Sequence, residues 1–296
     1  MSGIVSNLIG GLGNQMFQFA CGQALAWRTG QPLALALGLF KGYRLHQGYE
    51  LARVFTVDVP KVTPDELASL LGALRQPLAR SVVARLAPGR RCGGRAWFEP
   101  ADGRFLPGVL AASGPAYLHG YWQSERYFED AEVPLRAMLR FRQPASATNA
   151  DWLVRIAGCT AISLHLRRGD YVSNPKNQRI YAVCTPAYYR AAMDRLLAMH
   201  PQAQFFVFSD DLPWARELLA ERREPVHFVD HNRGADSHND LRLMSRCQHH
   251  VIANSSFSWW GALLGQRPGQ VVVAPQRWFV EPGRGADIVP ARWQRL

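Results

Sequence analysis

The stretch His165-Leu-Arg167-Arg168-Gly-Asp170-Tyr171 carries the side chains of this 296-residue chain best suited to chemistry. Each guanidinium offers a rigid fork of N–H donors, stays charged at any working pH and matches phosphate oxygens in pairs. Two in succession point to an anionic, phosphorylated ligand, a solvated pair closed by a Gly-Asp turn being the alternative for this stretch alone. Asp170 is placed to orient the arginines or to accept a proton. The apolar run Cys159–Leu164 just before reads as a buried parallel strand. The arginines then fall at a strand's carboxyl end, where open α/β sheets bind ligands.

Two further segments have the same strand, loop and helix form. At the amino terminus, Ile4–Ile9 leads into Gly10-Gly11-Leu12-Gly13-Asn14-Gln15 and then into an apolar helical run to Trp27. Glycines let backbone approach a ligand, and a helix start presents free N–H groups. A dinucleotide fold fits poorly, because Met16 stands where a third glycine belongs. The next apolar strand, Pro32 to Phe40, also lacks the terminal acid that would hold a ribose. Near the other end, Val251–Ala253 runs into Asn254-Ser255-Ser256-Phe257, a helix start whose hydroxyls and amides form an anion cradle or a simple N-cap.

The elements that position these loops follow from the pattern of the second half. Strands are predicted at 160–165, 204–208, 226–229, 249–253 and 270–274, with helices near 186–199, 213–222, 239–247 and 257–264. Such alternation specifies a parallel sheet covered on both faces. The first half begins alike and then becomes irregular. Gln143–Asn149, small and polar, marks the boundary, giving domains 1–147 and 148–296 with a tail able to cross back to the first.

Composition narrows the class. Residues 1–27 hold no charged side chain, yet five glycines and repeated Asn and Gln rule out a membrane span there, and no basic region precedes an apolar core as a signal peptide requires. Five irregularly spaced cysteines fit reduced thiols in a cytoplasmic protein, not a disulfide frame or zinc site. The net charge of +11 comes from 31 Arg and only three Lys. No nucleic-acid motif accompanies it. Residues 67–98 hold six arginines and no acid. A solvated basic face explains them better than a lipid-facing one, since they are not tightly clustered; peripheral contact with an anionic membrane at the inner face is the alternative. Ser209-Asp210-Asp211 invites a metal, but Pro213 directly after it favours capping and a turn.

The three loop motifs, with Gly120-Tyr-Trp-Gln-Ser-Glu-Arg-Tyr-Phe128 and Cys184-Thr-Pro-Ala-Tyr-Tyr189, together resemble the bacterial α-1,2-fucosyltransferases of glycosyltransferase family 11. The blocks run in order from residue 10 to 261, while about 41–115 match nothing in the family's pattern. The resemblance implies an α/β protein of GT-B type, two Rossmann-like domains with parallel sheets facing a central cleft, the first on the acceptor side. It implies inverting transfer of L-fucose from GDP-β-L-fucose to the 2-hydroxyl of a galactoside, with no metal and no other cofactor. Arg167 would meet the β-phosphate, and Arg168 would share that load or pin the loop. Gly11, Gly13 and Asn14 would approach the donor from one side, and Asn254, Ser255, Ser256 and Phe257 from the other. His165 and Asp240 are matched to the guanine. Trp122, Gln123 and Glu125 suit the acceptor, and the base stays open among Asp170, Glu125 and His119. A noncatalytic GDP-sugar or glycan binder on the same fold, or a different fucosyl linkage, are the competing readings.

Overall fold

The computed structural model describes residues 3–43 and 45–296. The chain divides into two compact units, one of residues 1–143 with 283–290, the other of 144–282 with 291–296.

The first unit is built on a five-stranded sheet of β1 (Ile4–Asn7), β2 (Leu33–Ala36), β3 (Arg91–Cys92), β4 (Ala96–Phe98) and β5 (Ala116–His119), in the order β2-β1-β5-β4-β3. All neighbours are parallel except the β3–β4 pair. The apolar stretch Pro32–Phe40 is a strand only to Ala36 and then coils into a 3-10 turn, Gly38–Phe40. The helix Leu12–Thr29 is buried nearly all round from Leu12 to Ala26, as a helix apolar on every side must be. This accounts for the absence of charge from residues 1–27. Asp287 fastens the segment 283–290 to this unit by accepting the Phe105 N–H at 2.9 Å and pairing with Arg126 at 3.0 Å.

The second unit holds a six-stranded, wholly parallel sheet of β6 (Ala161–Leu166), β7 (Gln204–Ser209), β8 (Val226–Val229), β9 (His249–Val251), β10 (Val272–Ala274) and β11 (Gln294–Arg295). Its order is β11-β10-β9-β6-β7-β8. β6 is buried at every position, as a central strand with covered faces should be. One apolar cluster packs Pro186–Met199 on the sheet through Tyr189, Met193 and Leu196. Another joins Ile156, Phe206, Leu243 and Met244. The unit opens with the helix Ala147–Ala157, capped by Ser146, so it begins at Pro144, ahead of the cap. Asp211 caps Leu212–Leu218, which stops four residues short of the expected end.

Two Rossmann-like units are therefore present, and each sheet reverses direction beside its first strand. From β6 the chain builds β7 and β8 on one side, then β9, β10 and β11 on the other. From β1 it builds β2 on one side, and β4 and β5 on the other. In such sheets the carboxyl ends of the two strands flanking the reversal part and leave a crevice for ligand.

Candidate functional site: the loops at the two sheet reversals

In the second unit the loop after β6 carries Arg167 and Arg168, and the loop after β9 carries Asn254, Ser255 and Ser256. The register pairs Leu166 with Ser209, so Asp210 and Asp211 leave β7 beside the arginines. Arg167 ion-pairs with Asp170 at 2.5 Å and Asp210 at 3.0 Å. Arg168 meets Asp211 at 3.3 Å and lies over the Trp214 ring at 4.8 Å. Asp210 also accepts the backbone N–H groups of Arg168 and Gly169 at 2.9 and 3.1 Å, fixing the turn. Burial alone would depress the Arg167 pKa, but the charges of Asp210 and Asp170 outweigh it and keep the guanidinium ionised. The two ion pairs engage two of its five N–H donors, and its side chain remains 27% exposed, so an anion can still be gripped.

Asp170 gives its second oxygen to the Asn177 side-chain amide at 2.9 Å. These contacts make it a brace for Arg167. Asp210 and Asp211 serve as turn, cap and counter-ion.

His165, next to the arginines, is buried, and its Nδ1 has no hydrogen-bond partner among the described residues. Burial pushes its pKa down to about 4, against the pull of Asp210, so the ring is neutral near pH 7. Its ring lies 6.3 Å from that of Phe257, which puts a predicted member of each loop side by side. Asp240 stands in the first turn of His238–Met244 and accepts from Asn232 at 2.9 Å. Burial raises its pKa to about 7, and the Asn232 hydrogen bond only partly offsets that. Asn149, read from the sequence only as the end of the boundary segment, exchanges hydrogen bonds with Asn232 and so braces this carboxylate.

The Asn254 side chain is wholly buried. Its amide donates to the carbonyls of Ala182 and Trp278, at 2.5 and 2.8 Å, and its oxygen lies 3.5 Å from Cys184 Sγ. It holds the loop instead of facing a ligand. Tyr188 supports the same loop by donating to the Ile252 carbonyl at 2.6 Å, and Thr185 caps their shared helix. The block 184–189 is thus scaffold for the loop after β9. Ser255 is the N-cap of Ser256–Leu264 and accepts from the Phe257 N–H.

The first unit repeats this logic. Gly10 adopts φ +88°, and a Cβ there would collide with the Asn14 side chain at 2.7 Å. Gly11 caps the helix and Gly13 lies buried inside it. Gln15 donates to the carbonyls of Gly10 and Gly48 and accepts the N–H groups of Glu50 and Leu51. Gln18 accepts from Ile9 and donates to Gly120, tying the loop after β1 to the loop after β5. Gln123 completes the link with a 2.8 Å hydrogen bond to Asn14.

Trp122, expected at the acceptor, is fully buried with its ring edge-on to Tyr127, and its backbone has φ +55°. The neighbouring Tyr121 is the exposed ring, at 44%. Glu125 opens a 3-10 turn, Glu125–Tyr127, and is half-buried. His119 is neutral, its pKa pushed down to about 4 by burial and then by Arg80.

The residue that sequence reasoning missed is Glu99. Its carboxylate accepts the Tyr121 and Trp122 N–H groups at 2.6 and 2.7 Å, holding Trp122 in a conformation that costs about 1–2 kcal/mol for a non-glycine residue. Gly120 must lack a side chain, because a Cβ there would lie 2.3 Å from that of Glu99.

Comparison with known proteins agrees with this anatomy. Residues 105–293 match the model described as Glycosyl transferase family 11. An alpha-1,2-colitosyltransferase of Escherichia coli is 33% identical over 301 residues, covering 100% of this chain and 99% of that protein. The galactoside alpha-(1,2)-fucosyltransferase 2 of Sus scrofa is 26% identical over 263 residues, covering 87% of this chain and 68% of that one. FUT1 of Arabidopsis thaliana, solved in complex with GDP, superposes with a TM-score of 0.55 at 12% identity, over 97% of this chain and 74% of that one, a likeness of fold. With a family match over most of the chain and a relative aligned along its whole length, the protein belongs to glycosyl transferase family 11.

Proposed function

We propose that the chain transfers L-fucose from GDP-β-L-fucose to the 2-hydroxyl of a terminal galactoside, with inversion. The observation that carries this is Arg167, held charged at a sheet reversal between two carboxylates with donors to spare. Negative charge grows on the diphosphate as the glycosidic bond breaks, and preorganised donors act most strongly where charge develops. Arg167 meets that charge at the β-phosphate. The N-terminus of Ser256–Leu264, with Ser255 and Ser256, meets it from the neighbouring strand end. Asp170 and Asp210 are positioning residues, and Arg168 is committed to its own loop through Asp211 and Trp214.

The guanine fits the two perturbed groups. Its N1–H and exocyclic amine donate to a carboxylate, a role for Asp240, and that contact would favour the ionised form which burial now disfavours. The unpartnered His165 Nδ1 supplies a further polar contact inside the same unit. No divalent ion is required, because the acidic pair at 210 and 211 is already neutralised by guanidiniums.

In the first unit, the exposed Tyr121 ring and the Gln123 amide offer contacts to a sugar. The full-length similarity to a colitosyltransferase favours a second reading in which the donor sugar is colitosyl and the linkage is the same. Competition of the two donors for one galactoside, with the product linkage read by NMR, separates them. A fucosyl product at galactose O2 supports the first reading. Exclusive use of the colitosyl donor replaces it with the second, and GDP binding without transfer to any galactoside removes both.

A further inference from the structure

The helix Pro77–Leu86 of the first unit has one side in the core and one side with no cover of its own. Val83 and Ala84 pack inward on a cluster that includes Leu70, Leu71 and Phe98. Arg80 is buried too, donating to the Leu74 and Arg75 carbonyls and stacking over Tyr117 at 6.0 Å. The other side carries Leu78, Val82 and Leu86, which are 77, 46 and 76% exposed. Their spacing of four residues sets them in one line along the helix. A single exposed leucine is ordinary, but an apolar ridge running the length of a helix is not.

The ridge lies in a field of one sign. Arg75 and Arg85 flank it, and Arg90, Arg91 and Arg95 follow on the adjoining turn and hairpin, all exposed. No acid occurs from residue 67 to 98. A line of apolar side chains bordered by cations is the pattern of a helix that lies in a membrane interface, with its ridge at the boundary of headgroup and acyl chain. Guanidiniums suit lipid phosphates there. A protein partner fits less well: three side chains fall far short of the roughly 800 Å² per partner that a stable interface buries.

We propose that the helix Pro77–Leu86 docks this chain on an anionic bilayer surface, the Leu78–Val82–Leu86 ridge entering the interface and the flanking arginines meeting lipid phosphates. Among the described residues no helix is long and apolar enough to cross a membrane, so the attachment is peripheral wherever it rests on this helix. The proposal does not depend on which sugar the protein transfers.

Cosedimentation of the full chain with vesicles tests it, comparing phosphatidylcholine alone with an equimolar mixture of phosphatidylcholine and phosphatidylglycerol. Wild type should bind the mixed vesicles at about 0.1 M salt and leave them as salt rises. The triple variant Leu78→Ser, Val82→Ser, Leu86→Ser should lose roughly tenfold or more in partitioning while unfolding at the wild-type temperature, since all three sites are exposed. Arg85→Glu with Arg91→Glu should weaken binding and flatten its salt dependence. Equal binding by the serine variant, or none by wild type, overturns the proposal. So does a wild-type dimer in sedimentation velocity that the serine variant dissolves, which would assign the ridge to a second copy of the chain.

Discussion

The Gln123 side-chain amide donates to the Asn14 side-chain oxygen at 2.8 Å, joining residues 109 apart in sequence. One follows β1 and the other follows β5, so the contact closes the sheet reversal of the first unit. Removing either end should cost about 1 kcal/mol, and removing both should cost less than the sum, because each single loss counts the same hydrogen bond. A double-mutant cycle of Asn14→Ala and Gln123→Ala in urea checks this; additive losses would show that the two side chains act separately. The same variants should raise the acceptor KM.

Arg167→Lys keeps a positive charge but loses the fork that two aspartates hold. The turnover number should fall about 10²–10³-fold, the usual loss for one donor aimed at developing charge. Asp210→Asn should fall in the same direction by less, because it loosens both Arg167 and the turn at Arg168 and Gly169. Steady-state kinetics with saturating donor reads both, and an unchanged kcat in Arg167→Lys would mean that charge alone suffices.

Glu99 makes stability depend on pH. Burial raises its pKa from 4.5 to about 7, more than the hydrogen bonds from Tyr121 and Trp122 lower it. The folded state therefore holds the proton more tightly than the unfolded chain. Its contribution is fully present below pH 4.5 and is lost as pH rises toward 7, by of order 3 kcal/mol. Glu99→Gln cannot titrate, so the stability gap between wild type and variant should shrink in favour of the variant across that window. Urea unfolding at pH 4.5 and 7.5 gives the answer, and a gap independent of pH would contradict it.

Asp240→Asn removes the acceptor proposed for guanine while keeping the shape of the side chain. GDP affinity should weaken about tenfold, and the loss should be smaller for IDP, which keeps the N1–H but lacks the exocyclic amine. Calorimetry with GDP and IDP measures it, and unchanged affinity for both would place Asp240 away from the base.

Much of this was legible because it is local. Strand, loop and helix alternate in the second unit with unambiguous periods, and the loops at 10–15, 167–170 and 254–257 each follow a short apolar strand. Other features depend on distant partners. Nothing near Glu99 in sequence announces that it will hold the backbone of Tyr121 and Trp122. Trp122 looked like a ligand contact from its residue type and Asn254 from its place in the block after a strand, yet both are buried, one beside Tyr127 and the other bonded to two loop carbonyls. Pro32–Phe40 carried strand-like composition beyond Ala36, where the ladder with β1 ends.

The most direct test of the account is GDP release from GDP-fucose and a galactoside in EDTA, wild type beside Arg167→Ala. The account predicts steady turnover by wild type without metal, a product fucosylated at galactose O2, and a loss of about 10²-fold or more in the variant. Turnover that Arg167→Ala leaves intact, or that EDTA abolishes and a divalent ion restores, would contradict it.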